Sequence, residues 1–275
     1  MRIDAHQHFW SYDPIKHKWI SDGMQVLKKD FGPEDLLPLL QENGIDGTVA
    51  VQADETEEET RYLLELAAKN DFIKSVVGWT DLRSANAEEN IIRHKQSPKL
   101  AGFRCIMQGV EDTAYLTNTL FMENLRLLSR HDLSYDLLVY QNQMESLVRF
   151  VDKLPDNRLM LDHIGKPDIK NNSIRQWKQH LKILAAHPGV YCKLSGMITE
   201  ADHSSWTYEE LMPYIETVAE YFGVDRICFG SDWPVCLLAG TYNTVVGVMN
   251  RFAGQLSPQE REKLFGRNTL TFYKI

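Results

Sequence analysis

His6 and His8 stand one residue apart at the end of the first apolar run, Arg2-Ile3-Asp4-Ala5-His6-Gln7-His8. In a strand, residues i and i+2 point to the same face, so the two imidazoles would share one small space. Such a pair could hold a metal ion or work on one substrate; in isolation the spacing fits surface or capping histidines equally well. The far end of the chain favours the functional reading. There the run Arg226-Ile227-Cys228-Phe229-Gly230 breaks into Ser231-Asp232-Trp233-Pro234. A carboxylate at the tip of a last strand is where a barrel enzyme keeps its base.

Other strand-like runs carry charge where apolar residues are expected. Arg104 lies in Ala101-Gly102-Phe103-Arg104-Cys105-Ile106, Lys193 in Cys192-Lys193-Leu194-Ser195-Gly196, and His163 in Leu161-Asp162-His163-Ile164-Gly165-Lys166. A charge inside a strand is costly unless paired or used. One such residue is most often a structural ion pair, and for Arg104 a carboxylate such as Asp136 on the next strand would serve. Several converging on one end of a barrel mark a site. Arg104, with Lys166 and Lys193, could bind an oxyanion or ring hydroxyls. The imidazoles could polarise a carbonyl, and Asp232 could activate water. The set suits hydrolysis at a carbonyl, or chemistry on a carboxylate-bearing substrate. Trp10, Trp79 and Trp233 fall near strand ends, where flat rings could stack on a sugar face. His94, His131, His180 and His187 fall on helices or helix ends and read as surface residues. His17 and His203 fall in loops, His203 within reach of the strand-seven tip.

The elements that must position these residues alternate along the chain. Strand-like runs cover 2–8, 47–52, 73–80, 100–106, 134–140, 158–163, 190–195 and 226–232. Helical patterning covers a segment from Pro33 to before Gly44, then 57–69, 87–96, 119–131, 142–153, 173–187, 208–222, 243–253 and 257–265. Eight strands alternating with helices mean an α/β fold, either a (β/α)8 barrel or a doubly wound sheet. The count and the polar strand tips favour the barrel. Glycine-rich nucleotide loops are absent. No linker interrupts the pattern, so residues 1–275 read as one domain. The long irregular stretch 9–32 is expected to fold over the barrel mouth.

Composition narrows the class. The chain has 275 residues, 43% of them apolar, and a net charge of -8, with a pI near 5.6. That balance argues against nucleic-acid binding. No stretch approaches the roughly 20 apolar residues of a membrane span. The four cysteines form no C-x-x-C pair. Cys105, Cys192 and Cys228 lie in strand-like runs and read as small buried residues of a reducing compartment, while Cys236 follows Asp232 and could lie near a site without reading as a nucleophile; a cytoplasmic location is expected.

Together these pieces resemble the amidohydrolase superfamily, in its metal-dependent-hydrolase branch of sugar-lactone hydrolases of the L-fuconolactonase and L-rhamnonolactonase type. The matching segments are Ile3-Asp4-Ala5-His6-Gln7-His8-Phe9-Trp10, Gly102-Phe103-Arg104, Leu161-Asp162-His163-Ile164-Gly165-Lys166-Pro167, Lys193-Leu194-Ser195-Gly196, Phe229-Gly230-Ser231-Asp232-Trp233-Pro234 and Leu264-Phe265-Gly266-Arg267-Asn268-Thr269. They span the chain in order. The resemblance implies a distorted (β/α)8 barrel with Asp232 as general base. It implies that His6, His8 and His163 are metal ligands or carbonyl polarisers. Strand five lacks a histidine and strand four lacks a bridging lysine, so a binuclear centre is not expected. One zinc held by His6, His8 and Asp232, or metal-free catalysis, both fit. The expected substrate is a neutral or weakly polar aldonolactone. A superfamily decarboxylase acting on an aromatic or unsaturated acid would want the missing strand-five histidine. A non-catalytic barrel that binds sugar acids is the remaining alternative.

Overall fold

Strands buried on both faces need near-continuous apolar sequence, and eight such runs form one parallel sheet. The structure, a computed structural model, describes residues 1–275 apart from the side chain of Thr113. The strands are β1 (Ile3–Gln7), β2 (Gly47–Val51), β3 (Ile73–Gly78), β4 (Leu100–Ile106), β5 (Ser134–Leu138), β6 (Leu159–Leu161), β7 (Val190–Leu194) and β8 (Ile227–Phe229). They pair in chain order, every pair parallel. Between β8 and β1 the ladder is replaced by backbone bonds past the strand ends. The Asp232 N–H donates to the His6 carbonyl at 2.8 Å and the His8 N–H to the Trp233 carbonyl at 2.7 Å. The result is a distorted (β/α)8 barrel.

The helices around it are α1 (Pro33–Glu42), α2 (Glu57–Lys69), α3 (Ala87–His94), α4 (Thr119–Arg130), α5 (Met144–Val151), α6 (Ile174–Ala185), α7 (Tyr208–Phe222), α8 (Tyr242–Ala253), α9 (Pro258–Glu262) and α10 (Asn268–Tyr273). Their starts follow from sequence. Pro33 opens α1, and Thr56 caps α2 by accepting the Glu59 N–H at 3.1 Å. The apolar faces of these helices pack on the outer face of the sheet. The barrel interior is a smaller cluster that includes Ile3, Val49, Val77, Ala101 and Met160, and Phe272 and Tyr273 of α10 close it. No helix among the described residues is long and apolar enough to cross a membrane.

Several boundaries differ from the sequence pattern. The expected helix at 257–265 divides into α9 and a π-turn at Lys263–Arg267 that leads into α10. The strands at 158–163 and 226–232 stop at Leu161 and Phe229 because the backbone then turns left-handed, with φ of 52° at His163 and 57° at Asp232. His94 is buried, not exposed, because it pairs with Glu57 at the start of α2.

Candidate active site

Backbone bonds bring the two ends of the chain together at the strand tips. Asp4 reinforces them: its Oδ1 accepts the His6 N–H at 3.1 Å and the Ser231 N–H at 2.9 Å. As a result His6 Nε2 lies 3.2 Å from His8 Nε2, with Asp232 Oδ1 at 3.3 Å from His8 Nε2 and 3.7 Å from His6 Nε2. His163 Nε2 is 3.9 Å from the same oxygen. Four of the singled-out residues therefore meet at one point.

The donor chemistry of that point suits a cation. His8 Nδ1 faces the Val51 carbonyl at 2.8 Å. A carbonyl only accepts, so Nδ1 carries a proton, and Nε2 is the nitrogen turned toward His6 and Asp232. Burial lowers the pKa of His6 well below its ordinary value, and that of His163 to about 4, so both rings are neutral. Burial alone would raise the Asp232 carboxyl, but His163, then the His8 hydrogen bond and His6, outweigh it and hold it below the usual range. Imidazole nitrogens and an ionised carboxylate oxygen thus converge. A tetrahedral zinc with ligands about 2.0–2.1 Å away has ligand–ligand edges of roughly 3.3 Å, close to the three distances among His6, His8 and Asp232. These residues fit one such ion.

A layer of charge lies directly beneath. The Arg104 guanidinium donates to Asp162 Oδ2 at 2.9 Å and, through Nε, to Gln52 Oε1 at 3.0 Å, and its Nη1 is 3.2 Å from His6 Nε2. Asp136 is the register partner of Arg104 on β5, yet it does not take that charge. Lys193, reaching in from β7, donates to Asp136 at 2.6 Å and lies 3.0 Å from Asp162 Oδ1 and 3.1 Å from His6 Nδ1. The Tyr273 hydroxyl also donates to Asp136, at 2.7 Å. Burial raises Asp136 to about 6, against the pull of Lys193. Burial would lift Asp162 too, but Lys193, His6 and Arg104 bring it well below the ordinary value. The expectation that Lys193 binds substrate is corrected here: it is fully enclosed and faces its two carboxylates and His6. Asp162 carries a role that sequence reading left unassigned. Its only signal was an acid inside an apolar run next to His163.

His163 is held differently. It and Ile164 both have φ near 52°, a region a β-branched residue rarely enters. The Ser195 hydroxyl lies 2.9 Å from its Nδ1. When that hydroxyl donates, the ring proton is left on Nε2, on the side of Asp232.

Above this group is a cavity of about 320 Å³, lined on its floor by His8, Arg104, His163 and Asp232. Its upper walls include Trp19, Met24, Leu238, Lys166, Glu200 and His203. Lys166 and His203 thus reach the mouth. The three tryptophans expected there do not line it. Trp10 and Trp233 are buried among the rim aromatics, Trp10 5.6 Å from Trp19 and Trp233 5.3 Å from Phe31. Trp79 is half-buried, its backbone bonded to Thr60 of α2. The 9–32 stretch does fold over the mouth, but it presents Trp19, anchored by an indole bond of 3.1 Å to the Ala53 carbonyl. Cys236 is buried next to Asp232, and all four cysteines are free and buried.

An eight-stranded barrel with a histidine pair at the end of β1 and an aspartate after β8 defines a class of hydrolases, and the chain belongs to it: it is a member of the amidohydrolase family, matched over residues 3–275. Within that family it is 38% identical to an L-fucono-1,5-lactonase of Burkholderia ambifaria, covering all of this chain and 96% of the relative. It has the same identity and coverage with an L-fucono-1,5-lactonase of Burkholderia multivorans. Among solved structures, an amidohydrolase from Burkholderia multivorans superposes with a TM-score of 0.97 at 37% identity, over all of this chain and 99% of that one. That protein has been crystallised with bound HEPES and, in another crystal form, with bound zinc.

Proposed function

We propose that this hydrolase opens a sugar-acid lactone, an aldonolactone such as L-fucono- or L-rhamnonolactone, by attack of water activated by Asp232. The observation that carries the reading is the Asp232 carboxylate, held below the usual range, among three imidazoles at the floor of a cavity of about 320 Å³. Asp232 Oδ1 faces the histidines; among the described residues no protein hydrogen bond falls on Oδ2, which is free to take a proton from water. Water oxygen bonds to the carbonyl carbon as Asp232 accepts that proton. His163, protonated on Nε2, donates to the carbonyl oxygen as it gains charge. The ring C–O bond then breaks, and the proton passes from Asp232 to the departing ring oxygen, giving a hydroxy acid. His6, His8 and Asp232 would hold one zinc, which when bound would supply a Lewis acid to the reaction. Arg104 stiffens the floor through Gln52 and Asp162. The four buried free cysteines suit a reducing cytoplasm.

The test is a pH-indicator assay across L-fucono-, L-rhamnono-, L-galactono- and D-arabinonolactones, beside an aromatic lactone acid. Sugar-lactone turnover is expected, falling roughly 10²-fold or more in Asp232→Asn. Activity confined to the aromatic acid, or near-normal turnover in Asp232→Asn, overturns the assignment.

A further inference from the structure

Every cation on the cavity wall already has a carboxylate. Arg104 is matched by Asp162 at 2.9 Å. Lys166 is matched by Glu200 at 2.6 Å, both side chains more than four-fifths buried. Two backbones lock the second pair. Lys166 sits in a left-handed turn, φ 47°, after β6. Glu200 ends a 3-10 turn, Ile198–Glu200, after β7, its N–H bonded to the Met197 carbonyl at 3.1 Å and its carbonyl accepting from Lys170 at 3.0 Å. Lys166 takes only Oε1 of Glu200; among the described residues no protein donor reaches Oε2. A carboxylate oxygen left free on a cavity wall accepts well from hydroxyls. The same charge repels an anion. Ring opening turns a neutral lactone into one, between Glu200 above and Asp232 below.

We infer that Glu200, paired to Lys166 on the cavity wall, is a specificity residue: it selects uncharged polyhydroxy lactones, rejects lactones that carry a carboxylate, and weakens binding of the aldonate product. This inference rests on the lactonase reading. Neutralising Glu200 leaves Lys166 as an unmatched cation and should reverse the selection. Two unit charges several ångströms apart at an effective dielectric near 20 correspond to roughly tenfold or more in affinity.

The experiment compares L-galactono-1,4-lactone with galactarolactone, which carries a carboxylate in place of the terminal CH2OH. In Glu200→Gln the kcat/KM ratio of galactarolactone to L-galactonolactone should rise about tenfold, and inhibition by L-galactonate should tighten by a similar factor. Adding Lys166→Met to that variant should return both quantities toward wild type. A ratio and inhibition constant within twofold of wild type in Glu200→Gln overturn the inference. If Glu200→Gln does not fold, Lys166→Met alone should weaken galactonate inhibition about threefold or more, and no change there is equally fatal. Should wild type turn over no neutral sugar lactone, the lactonase reading falls. Calorimetric binding of galactonate to wild type and Glu200→Gln then still reads the charge selection, and equal affinities overturn it.

Discussion

Gly196 is a position where a single added methyl group should displace a site histidine. It follows Ser195 at the tip of β7, with φ of 62°. A Cβ built there would lie 2.6 Å from His163 Nδ1 and 2.7 Å from its Cγ. Ordinary contact begins near 3.4 Å, so in Gly196→Ala the imidazole must retreat by roughly 0.8 Å in an interior packed without slack. Its retreat is limited by the His6 ring, whose centroid is 4.4 Å away. The 2.9 Å contact with Ser195 is also lost. The left-handed backbone costs an alanine about 1–2 kcal/mol, and the broken hydrogen bond about 1 kcal/mol more. The expected loss of stability is therefore about 2–3 kcal/mol, and the expected fall in Tm roughly 4–10 °C. A displacement approaching 1 Å at the group proposed to meet the carbonyl oxygen should lower kcat/KM about 10²-fold. The assay is lactone hydrolysis followed by indicator at temperatures well below the melting transition. Ser195→Ala is the control, since it removes the hydrogen bond without pushing the ring and should cost far less. A Gly196→Ala enzyme that keeps its melting temperature and comes within threefold of wild-type kcat/KM would refute the steric argument and the role of His163 together.

Removing one of three ligands should empty the metal position: His6→Ala is expected to lose zinc by elemental analysis and at least 10²-fold in activity. A wild-type protein that carries no metal and is indifferent to chelators would sink that assignment. Lys193→Met strips the counter-ion from two enclosed carboxylates and should destabilise by about 3–5 kcal/mol; chemical unfolding within 1 kcal/mol of wild type would contradict it. Glu59 is buried, accepts the Ala53 N–H at 3.0 Å, and is raised by burial from 4.5 to about 7. A carboxyl so raised leaves the fold unpenalised below pH 4.5 and costs it stability as pH climbs through about 7. Relative to wild type, Glu59→Gln should therefore gain about 2–3 kcal/mol between pH 4.5 and 8. Urea curves whose separation does not change with pH would argue against this.

Much of this site was legible because its chemistry interrupts apolar strands. His6, His8, His163 and Asp232 all break runs that otherwise read as barrel strand, and all four meet. What periodicity could not supply was the pairing among buried charges. Arg104 and Asp136 are neighbours in register, but β7 delivers Lys193 to the interior at the same level, and its ammonium reaches Asp136 first. Arg104 turns instead to Asp162, a residue visible only as part of a motif. The tryptophans failed for a different reason. Trp10 and Trp233 lie within two residues of a site histidine or Asp232, yet the left-handed turn at Asp232 and the bridge from Trp10 to Phe31 direct them into the rim packing. Loop 9–32 chose Trp19 for the cavity, a choice made by tertiary contacts and not by spacing. Lys166 and Glu200 come from turns after different strands, so only the barrel's curvature brings them together.

The two backbone bonds that join His6 to Asp232 and His8 to Trp233 make the candidate catalytic group the clasp of the ring. No ladder of main-chain bonds joins the first strand to the last at that edge, so the contacts that close the barrel are also the ones that gather these side chains. Ser231 and Asp4, 227 residues apart, meet in the same place, beside Asp232 and His6. If the last strand docks late in folding, the imidazoles and the carboxylate come together only when the clasp fastens. Recovery of turnover during refolding is therefore a clock for the final closure, distinct from the signals of helix formation or core burial that precede it.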